Sequence, residues 1–226
     1  MAYDYDWSSI PGALPFLWTG MKVTLRITAT AVLAGIALGT LLAAMRLSRS
    51  RLLSSASAAY VNTFRAIPLV MVLLWFFLVV PALLERLFSI PRHEDTRLTS
   101  SLVAFSLFQA AYYAEIIRAG IQAVPSGQLA AALALGMTAA KAMRLVVLPQ
   151  AFRKMTPLLL TQSVILFQDT SLVYVASVAD FLYVAYQVGQ RDARLVELLL
   201  FAGAVYLAVS WVASRVVQRW QERLAT

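Results

Sequence analysis

Cysteine is absent from this 226-residue chain, and it has only one histidine and three lysines. Without cysteine, disulfides and thiolate metal sites are excluded. The single His93 lies in a polar loop and cannot build a histidine-rich metal site. No lysine follows a glycine, so the chain lacks the phosphate-binding loop of a P-loop ATPase. These absences leave little for a nucleophilic or metal-dependent enzyme.

Charged residues are also scarce, at 13% of the chain, whereas hydrophobic residues make up 61%. The mean hydropathy is +0.74. Soluble domains have about a quarter charged residues, so this composition predicts an all-α polytopic membrane protein. The length suggests one membrane domain over residues 1–226. The net charge is +8, but the basic residues are scattered and form no stripe with interleaved aromatics, so nucleic-acid binding is not expected.

The first residues, MAYDYDWSSIPG, are acidic and polar, unlike a cleavable signal peptide. We therefore expect the first apolar segment to be a retained span. A transmembrane helix needs about 20 mostly apolar residues. Five spans are predicted, at about 23–45, 58–84, 98–122, 155–180 and 195–217.

Five spans put the termini on opposite sides, and the charges select the orientation. The face with the 46–57 loop, the 123–154 segment and the tail from 215 has ten basic residues and one acid. The other face has seven basic residues and eight acids. By the positive-inside rule the first face is cytoplasmic. We predict that the N-terminus is outside and the C-terminus is cytoplasmic.

Four ionisable residues fall at membrane depth in this arrangement, namely Arg65, Glu115, Arg118 and Asp169. A charge within a span is costly and usually faces a protein interior or a wet cavity. Glu115 and Arg118, three residues apart on one helix, either neutralise each other or contact a substrate. Arg65, before Pro68, is expected at a kink in the second span, where it is either a structural counter-ion or a gate.

A broken apolar segment occupies residues 124–150. Its Ala- and Leu-rich part favours a helix, which Gly136 is predicted to end. Thr138 can cap a second short helix, on which Lys141 and Arg144 share a face. The segment is a sixth span, an interfacial amphipathic hairpin or a docking element. The helix break and the two basic residues argue against the span.

This segment resembles the cytoplasmic loop of ABC importer permeases, whose pattern is E-A-A, three residues, G, nine residues, I-x-L-P. The chain has AAALALG over 130–136 and VVLP over 146–149, at the same spacing. Ala130 replaces the Glu and Val146 replaces the Ile. The stretches YVNTFRAIPLVMVLLWF, AAYYAEIIRAGIQAVPSGQ, LPQAFRKMTPLLLTQ and FQDTSLVY look like the polar-amino-acid uptake branch. The resemblance is closest to glutamate/aspartate import permeases.

The resemblance implies a type I ABC importer permease fold in the bacterial inner membrane and a coupling helix that seats on an ATP-binding subunit. The positions implied in this coupling are Ala130, Ala131, Ala132, Gly136, Lys141, Leu148 and Pro149. The implied partners are two ABC ATP-binding subunits, a second homologous permease in a heterodimer, and a periplasmic amino-acid-binding protein. No cofactor is expected in this chain, because ATP and Mg²⁺ would bind to the partner ATPase.

Polar residues of the third and fourth spans are predicted to form a midplane substrate pocket. They are Glu115, Arg118, Gln168, Asp169, Thr170 and Ser171. A zwitterionic amino acid needs acceptors for its ammonium and donors for its carboxylates. The alternative for 168–171 is helix–helix hydrogen bonding, and for an acidic substrate Arg118 is the favoured contact.

The predicted function is that of the membrane permease of an ATP-driven amino acid importer, with glutamate or aspartate as substrate. The alternative is a self-powered secondary amino acid carrier or a channel. Such a carrier often has two related halves, and neither an internal repeat nor an even number of spans is found in this sequence.

Overall fold

The structure, a computed structural model, describes residues 4–88 and 96–225. The predicted loop with His93 lies outside the described residues, as do the charges of Arg92, Glu94 and Asp95. The α-helices are α1 (Ser9–Arg46), α2 (Arg51–Ala66), α3 (Leu69–Phe88), α4 (Arg97–Gln122), α5 (Ser126–Ala134), α6 (Ala139–Ala142), α7 (Leu148–Asp169), α8 (Phe181–Arg191) and α9 (Leu195–Ala225). A π-helical turn, Met143–Val147, precedes α7, and a 3-10 turn, Thr170–Ala176, follows it.

Five helical stretches of the described chain are long and apolar enough to cross a membrane. They are Ser9–Arg46, Leu69–Leu87, Arg97–Gln122, Ala139–Ala176 and Leu195–Glu222. The predictions of an all-α fold and of five spans are therefore confirmed. Two boundaries differ from the prediction, because the first span begins at Ser9 and the fourth helical stretch begins at Ala139.

The predicted second span, 58–84, with a kink near Pro68, is interrupted there and consists of two helices. Helix α2 ends at Ala66, and α3 begins at Leu69. Between them Ile67 is extended, with φ −98° and ψ 135°. Pro68 explains the break, because proline disfavours the helical conformation of the residue before it and has no N–H to donate.

Helix α8 was not predicted as a separate element. Asp180, which is buried, caps its N-terminus by accepting hydrogen bonds from the backbone N–H groups of Tyr183 at 2.9 Å and Leu182 at 3.3 Å. The apolar face of α8 packs against α1 and α9 in a cluster that includes Phe181 and Leu198.

Helix α4 is the most enclosed span of the bundle, and α1 packs closely along it. A Cβ atom on Gly39 would lie 2.9 Å from the backbone nitrogen of Ala114. One on Gly35 would lie 3.0 Å from Cδ2 of Tyr113. Small residues at these positions let two helix backbones approach, as is common in membrane bundles. The result is close backbone packing between α1 and the centre of α4.

The two ends of the bundle differ in charge. At the end with α5 and α6, Ala43, Ile117 and Met155 form an apolar cluster, and the Lys154 ammonium donates to the carbonyl of Ala123 at 2.6 Å. We call this the basic end, because it brings together the three segments that carry the ten basic residues.

The N-terminal segment is fastened at the opposite end. Asp6 donates its backbone N–H to buried Glu197 at 3.0 Å, and its carboxylate lies 3.4 Å from the Arg194 guanidinium. The backbone N–H of Ser8 donates to this carboxylate at 2.9 Å and lowers the pKa of Asp6. The beginning of α1 is thereby held against the beginning of α9.

Candidate functional site

Two adjoining cavities open beside the break between α2 and α3. The first has a volume of about 500 Å³ and is lined by Arg65, Ala66, Ile67, Pro68, Leu69, Phe108, Tyr112, Gln162, Ile165 and Asp169. The second, of about 290 Å³, shares Arg65, Tyr112 and Gln162 and adds Glu115. We call the two together the central cavity. It lies near the middle of α4 and along the second half of α7, beside a broken transmembrane helix of the kind that commonly forms binding sites.

Arg65 provides the positive charge of the central cavity. Its guanidinium carbon lies 5.6 Å from the centroid of the Tyr112 ring, which is a cation–π contact. It forms no salt bridge within the part of the chain that the structure describes. The α3 N-terminus, beginning at Leu69, also lines this wall. Both features favour an anionic group in the cavity.

Asp169 provides a negative charge in the same cavity. It is the last residue of α7, where the chain tightens into the 3-10 turn, and its side chain is half-buried. No described side chain or backbone group donates a hydrogen bond to its carboxylate. An unpaired acid at this depth is costly unless it faces water or a ligand. Asp169 can therefore accept from a cationic group in the cavity.

Glu115 and Arg118 form an intrahelical ion pair. Nε of Arg118 donates to Oε2 of Glu115 at 3.0 Å, and a second bond joins the other guanidinium and carboxylate atoms. A third guanidinium nitrogen donates to Gln122. Glu115 lines the central cavity but Arg118 does not. The interpretation in which these two residues neutralise each other agrees with this geometry, and a substrate contact for Arg118 stays a prediction.

The other three predicted pocket residues point elsewhere. The Thr170 hydroxyl is buried and donates to the carbonyl of Phe167 at 2.7 Å, and the Ser171 hydroxyl donates to the carbonyl of Gln168 at 2.8 Å. The Gln168 side chain is exposed. None of the three lines the central cavity. Their role in binding stays a prediction.

Gln162 lines both parts of the cavity and is not among the predicted pocket residues. A usable signal existed, because Gln162 lies seven residues before Asp169 and two helical turns return a side chain to the same face. For Arg65 the sequence left two roles open, counter-ion or gate, and no local pattern could choose between them. Its position beside Tyr112 depends on how α2 packs against α4.

Residues 124–150, which we call the coupling segment, contain the predicted helix break. Helix α5 ends at Ala134, and Gly136 has a φ of +81°, which lies in the left-handed region. Thr138 then caps α6 by accepting from the backbone N–H of Lys141 at 3.3 Å. The break at Gly136 and the Thr138 cap are confirmed. Helix α5, with nine residues, is too short to cross a bilayer, and α6 continues into the fourth helical stretch, Ala139–Ala176. The sixth-span alternative is therefore wrong.

The coupling segment exposes most of the positions that the resemblance singled out. Ala130, Ala131, Gly136, Lys141 and Pro149 are exposed, Leu148 is half-buried and Ala132 is buried. Its most prominent apolar side chain is Leu135, which is 81% exposed. The segment is held to the bundle by packing of Val124, Val147 and Ala151. An anchored segment with an exposed apolar and basic surface is suited to docking on another protein.

Comparison with known proteins agrees with this architecture. Residues 35–226 match the family described as binding-protein-dependent transport system inner membrane component. The chain is 56% identical over 223 residues to the glutamate/aspartate import permease protein GltK of Escherichia coli O6:H1, covering 99% of this chain and all of the relative. It is 33% identical to the arginine transport system permease protein ArtQ of Bacillus subtilis, covering 90% of each chain.

Solved structures give the same fold. A crystal structure of an amino acid ABC transporter with histidines matches with a TM-score of 0.84 and 30% identity, over 99% of this chain and all of the other. The MetNI methionine ABC transporter, in an inward-facing conformation, matches with a TM-score of 0.68 at 19% identity and supports the fold alone. The chain belongs to the inner-membrane components of binding-protein-dependent transport systems, as an ABC importer permease of the polar-amino-acid family.

Proposed function

We propose that this chain is the permease subunit of an ATP-driven importer that moves glutamate and aspartate across the inner membrane. The observation that carries the proposal is the pair of opposite charges, Arg65 and Asp169, which line one cavity at membrane depth. The 56% identity to a glutamate/aspartate import permease supports the choice of acidic amino acids.

The charge pattern of the cavity complements a dicarboxylic amino acid. Asp169 accepts from the substrate ammonium, and Arg65 donates to a carboxylate, where a charge-assisted bidentate pair is favourable. The second carboxylate is left for neutral donors, among which are the first backbone N–H groups of α3. The Tyr112 hydroxyl is another neutral donor on the same wall.

Orientation follows from the charge asymmetry. The basic end faces the cytoplasm, so the coupling segment lies in the cytosol and the Asp6–Arg194–Glu197 contacts lie outside. An ATP-binding subunit then seats on the coupling segment, where Leu135 and Lys141 present apolar and basic surface. ATP and Mg²⁺ bind to two such partner subunits, because this chain has no phosphate-binding loop.

The remaining partners follow from the same assignment. A periplasmic amino-acid-binding protein delivers substrate to the outer end, and a second, homologous permease completes the pathway as a heterodimer. The chain itself performs no chemical step, so its task is to bind, release and reorient. A self-powered carrier or channel remains the competing function and predicts transport by this chain without an ATPase.

Reconstitution in proteoliposomes tests the proposal. The full complex, with binding protein and ATP, is expected to take up labelled glutamate, and the uptake should stop without ATP. Arg65→Gln is expected to abolish this uptake, whereas Arg86→Gln, at an exposed position near the end of α3, should retain it. Glutamate uptake by this chain alone, driven by an ion gradient, would overturn the proposal in favour of the carrier.

A further inference from the structure

Gln109 and Gln162 form an amide pair between α4 and α7. Nε2 of Gln162 donates to Oε1 of Gln109 at 3.1 Å. The Gln109 side chain is completely buried, whereas Gln162 lines the central cavity. A cavity residue is thus held by a residue behind it that does not line the cavity. Two such amides at this depth need a reason, because buried polar groups are costly unless they are satisfied.

Gln109 is packed closely against α1, and its amide is only partly hydrogen-bonded. A Cβ atom on Gly35 would lie 3.1 Å from Cβ of Gln109, so α1 lies directly behind it. Gln109 therefore lies between α1 and α7, and its amide contacts Gln162 of α7. Nε2 of Gln109 has no hydrogen-bond partner among the described residues, although the atom is buried. The pair is therefore not an optimised stabilising contact, which points to a role in placing Gln162.

The hydrogen bond holds the Gln162 amide in one orientation and leaves its oxygen available to a ligand. One N–H of Nε2 donates to Gln109, and Oε1 accepts no hydrogen bond from the described part of the chain. The oxygen of a primary amide only accepts, whereas its nitrogen carries two N–H groups. Gln162 can therefore offer Oε1 as an acceptor on the same cavity wall as Asp169.

We propose that Gln109 is a positioning residue that turns the Gln162 amide so that Oε1 accepts a hydrogen bond from the ammonium of the substrate. This inference rests on the proposed function, because it assumes that an amino acid binds in the central cavity. Gln162 and Asp169 then hold the ammonium together, and Gln109 acts only through Gln162. The class of ligand is a primary α-amino acid, and compounds that lack the ammonium lose this contact.

A neighbouring pair offers a matched control. The Tyr113 hydroxyl and the Ser163 hydroxyl lie 2.9 Å apart and join the same two helices. Tyr113 lies one turn after Gln109 on α4, and Ser163 directly follows Gln162 on α7. Neither residue lines the central cavity. Tyr113→Phe removes this α4–α7 hydrogen bond while keeping the ring that packs against Gly35 and Gly39. It reports what loss of an interhelical bond does when no cavity residue is involved.

The test measures binding of labelled glutamate to the purified transporter complex, without the binding protein. Gln109→Met removes the amide at similar size and is expected to lower the affinity about tenfold, since a hydrogen bond to a charged group is lost. Tyr113→Phe should change it less than about twofold. Gln162→Ala should show the same loss as Gln109→Met, and the double variant no further loss. Independent, multiplying effects of the two substitutions would overturn the positioning role.

Glutarate, which lacks the ammonium, tests the assigned group. In competition with labelled glutamate, the preference for glutamate over glutarate should fall about tenfold in Gln109→Met. An equal loss for both ligands would overturn the ammonium contact. The two proposals fail differently, because a wild-type complex that shows neither glutamate uptake nor binding refutes the proposed function. Normal glutamate binding and uptake with an unaffected Gln109→Met variant refutes this inference alone.

Discussion

The coupling segment and the central cavity are built in different ways. The coupling segment takes its shape from residues that are neighbours in sequence, namely Gly136 at φ +81° and the Thr138 cap. The central cavity is assembled from four helices, so Arg65, Tyr112 and Gln162 meet only after the bundle has packed. The difference teaches which part of a transporter can be read from local patterns and which part requires the tertiary structure.

The largest of four further expected effects compares Asp169, which lines the central cavity, with its neighbour Gln168, which does not. Asp169→Asn removes the charge that faces the substrate ammonium and should lower glutamate affinity about 100-fold, since truncating a buried charged contact costs about 2–5 kcal/mol. Gln168→Asn, one residue away but exposed outside the cavity, should change the affinity less than about twofold. Equilibrium binding to the purified complex measures both. Equal effects of the two substitutions would contradict the assignment of Asp169 to the site.

Asp169 and Gln168 also show how much of the candidate site could be predicted from the sequence. The polar run 168–171 was selected correctly as unusual for a span, but the sequence could not tell that only Asp169 lines the cavity. Which side a residue faces at the end of α7 depends on the change to a 3-10 turn, and that change has no clear local signal. Helix α8 was not predicted for a different reason. Its 11 residues are too few to form a span, and the prediction searched for spans.

The local signals were more informative at the coupling segment. Glycine is the residue that adopts a positive φ without strain, and Thr with a free hydroxyl is a good helix cap. Both therefore predicted the break at Gly136 and the start of α6. The break at Pro68 is equally local, and Pro68 predicted a kink, but the apolar run on both sides of it led to the prediction of one span.

The second effect is expected at Gly136 and concerns coupling, with no loss of binding. Gly136→Val places a β-branched residue at a positive φ, which costs about 1–3 kcal/mol, and should lower ATP-driven glutamate uptake about tenfold. Glutamate binding to the complex should stay unchanged. Gly127→Val is the matched control, because an added Cβ meets no atom within 4 Å at either glycine and only Gly136 has a positive φ. Normal uptake by Gly136→Val would remove the role assigned to this turn.

A third effect concerns helix packing, which is distinct from substrate binding and from coupling. Gly39→Ala adds a methyl group 2.9 Å from the Ala114 backbone nitrogen and should destabilise the bundle by about 1–3 kcal/mol. Gly203→Ala, in α9, adds the same group where no atom lies within 4 Å and should stabilise by about 0.5–1 kcal/mol through helix propensity. Thermal unfolding in detergent compares them. A higher midpoint for Gly39→Ala would show that α1 and α4 are not packed so closely.

The smallest effect is expected at the Thr138 cap. Thr138→Ala removes the acceptor for the backbone N–H of Lys141 and costs about 1 kcal/mol of local stability. ATP-driven uptake should fall about twofold to fivefold, because α6 then frays in a fraction of molecules. Thr138→Ser keeps the acceptor and should behave as wild type. A serine variant as impaired as the alanine variant would point to the Thr138 methyl group, with no role for the cap.

The most direct test of the account is whether an ATPase subunit binds to the coupling segment in the cytosol. The chain has no cysteine, so Lys141→Cys introduces a single thiol at an exposed position. A short thiol-to-amine cross-linker is expected to join this position to an ATP-binding subunit in membranes, and an impermeant maleimide should leave it unlabelled in intact cells. Labelling from outside, or cross-linking that never captures a nucleotide-binding partner, would contradict the account.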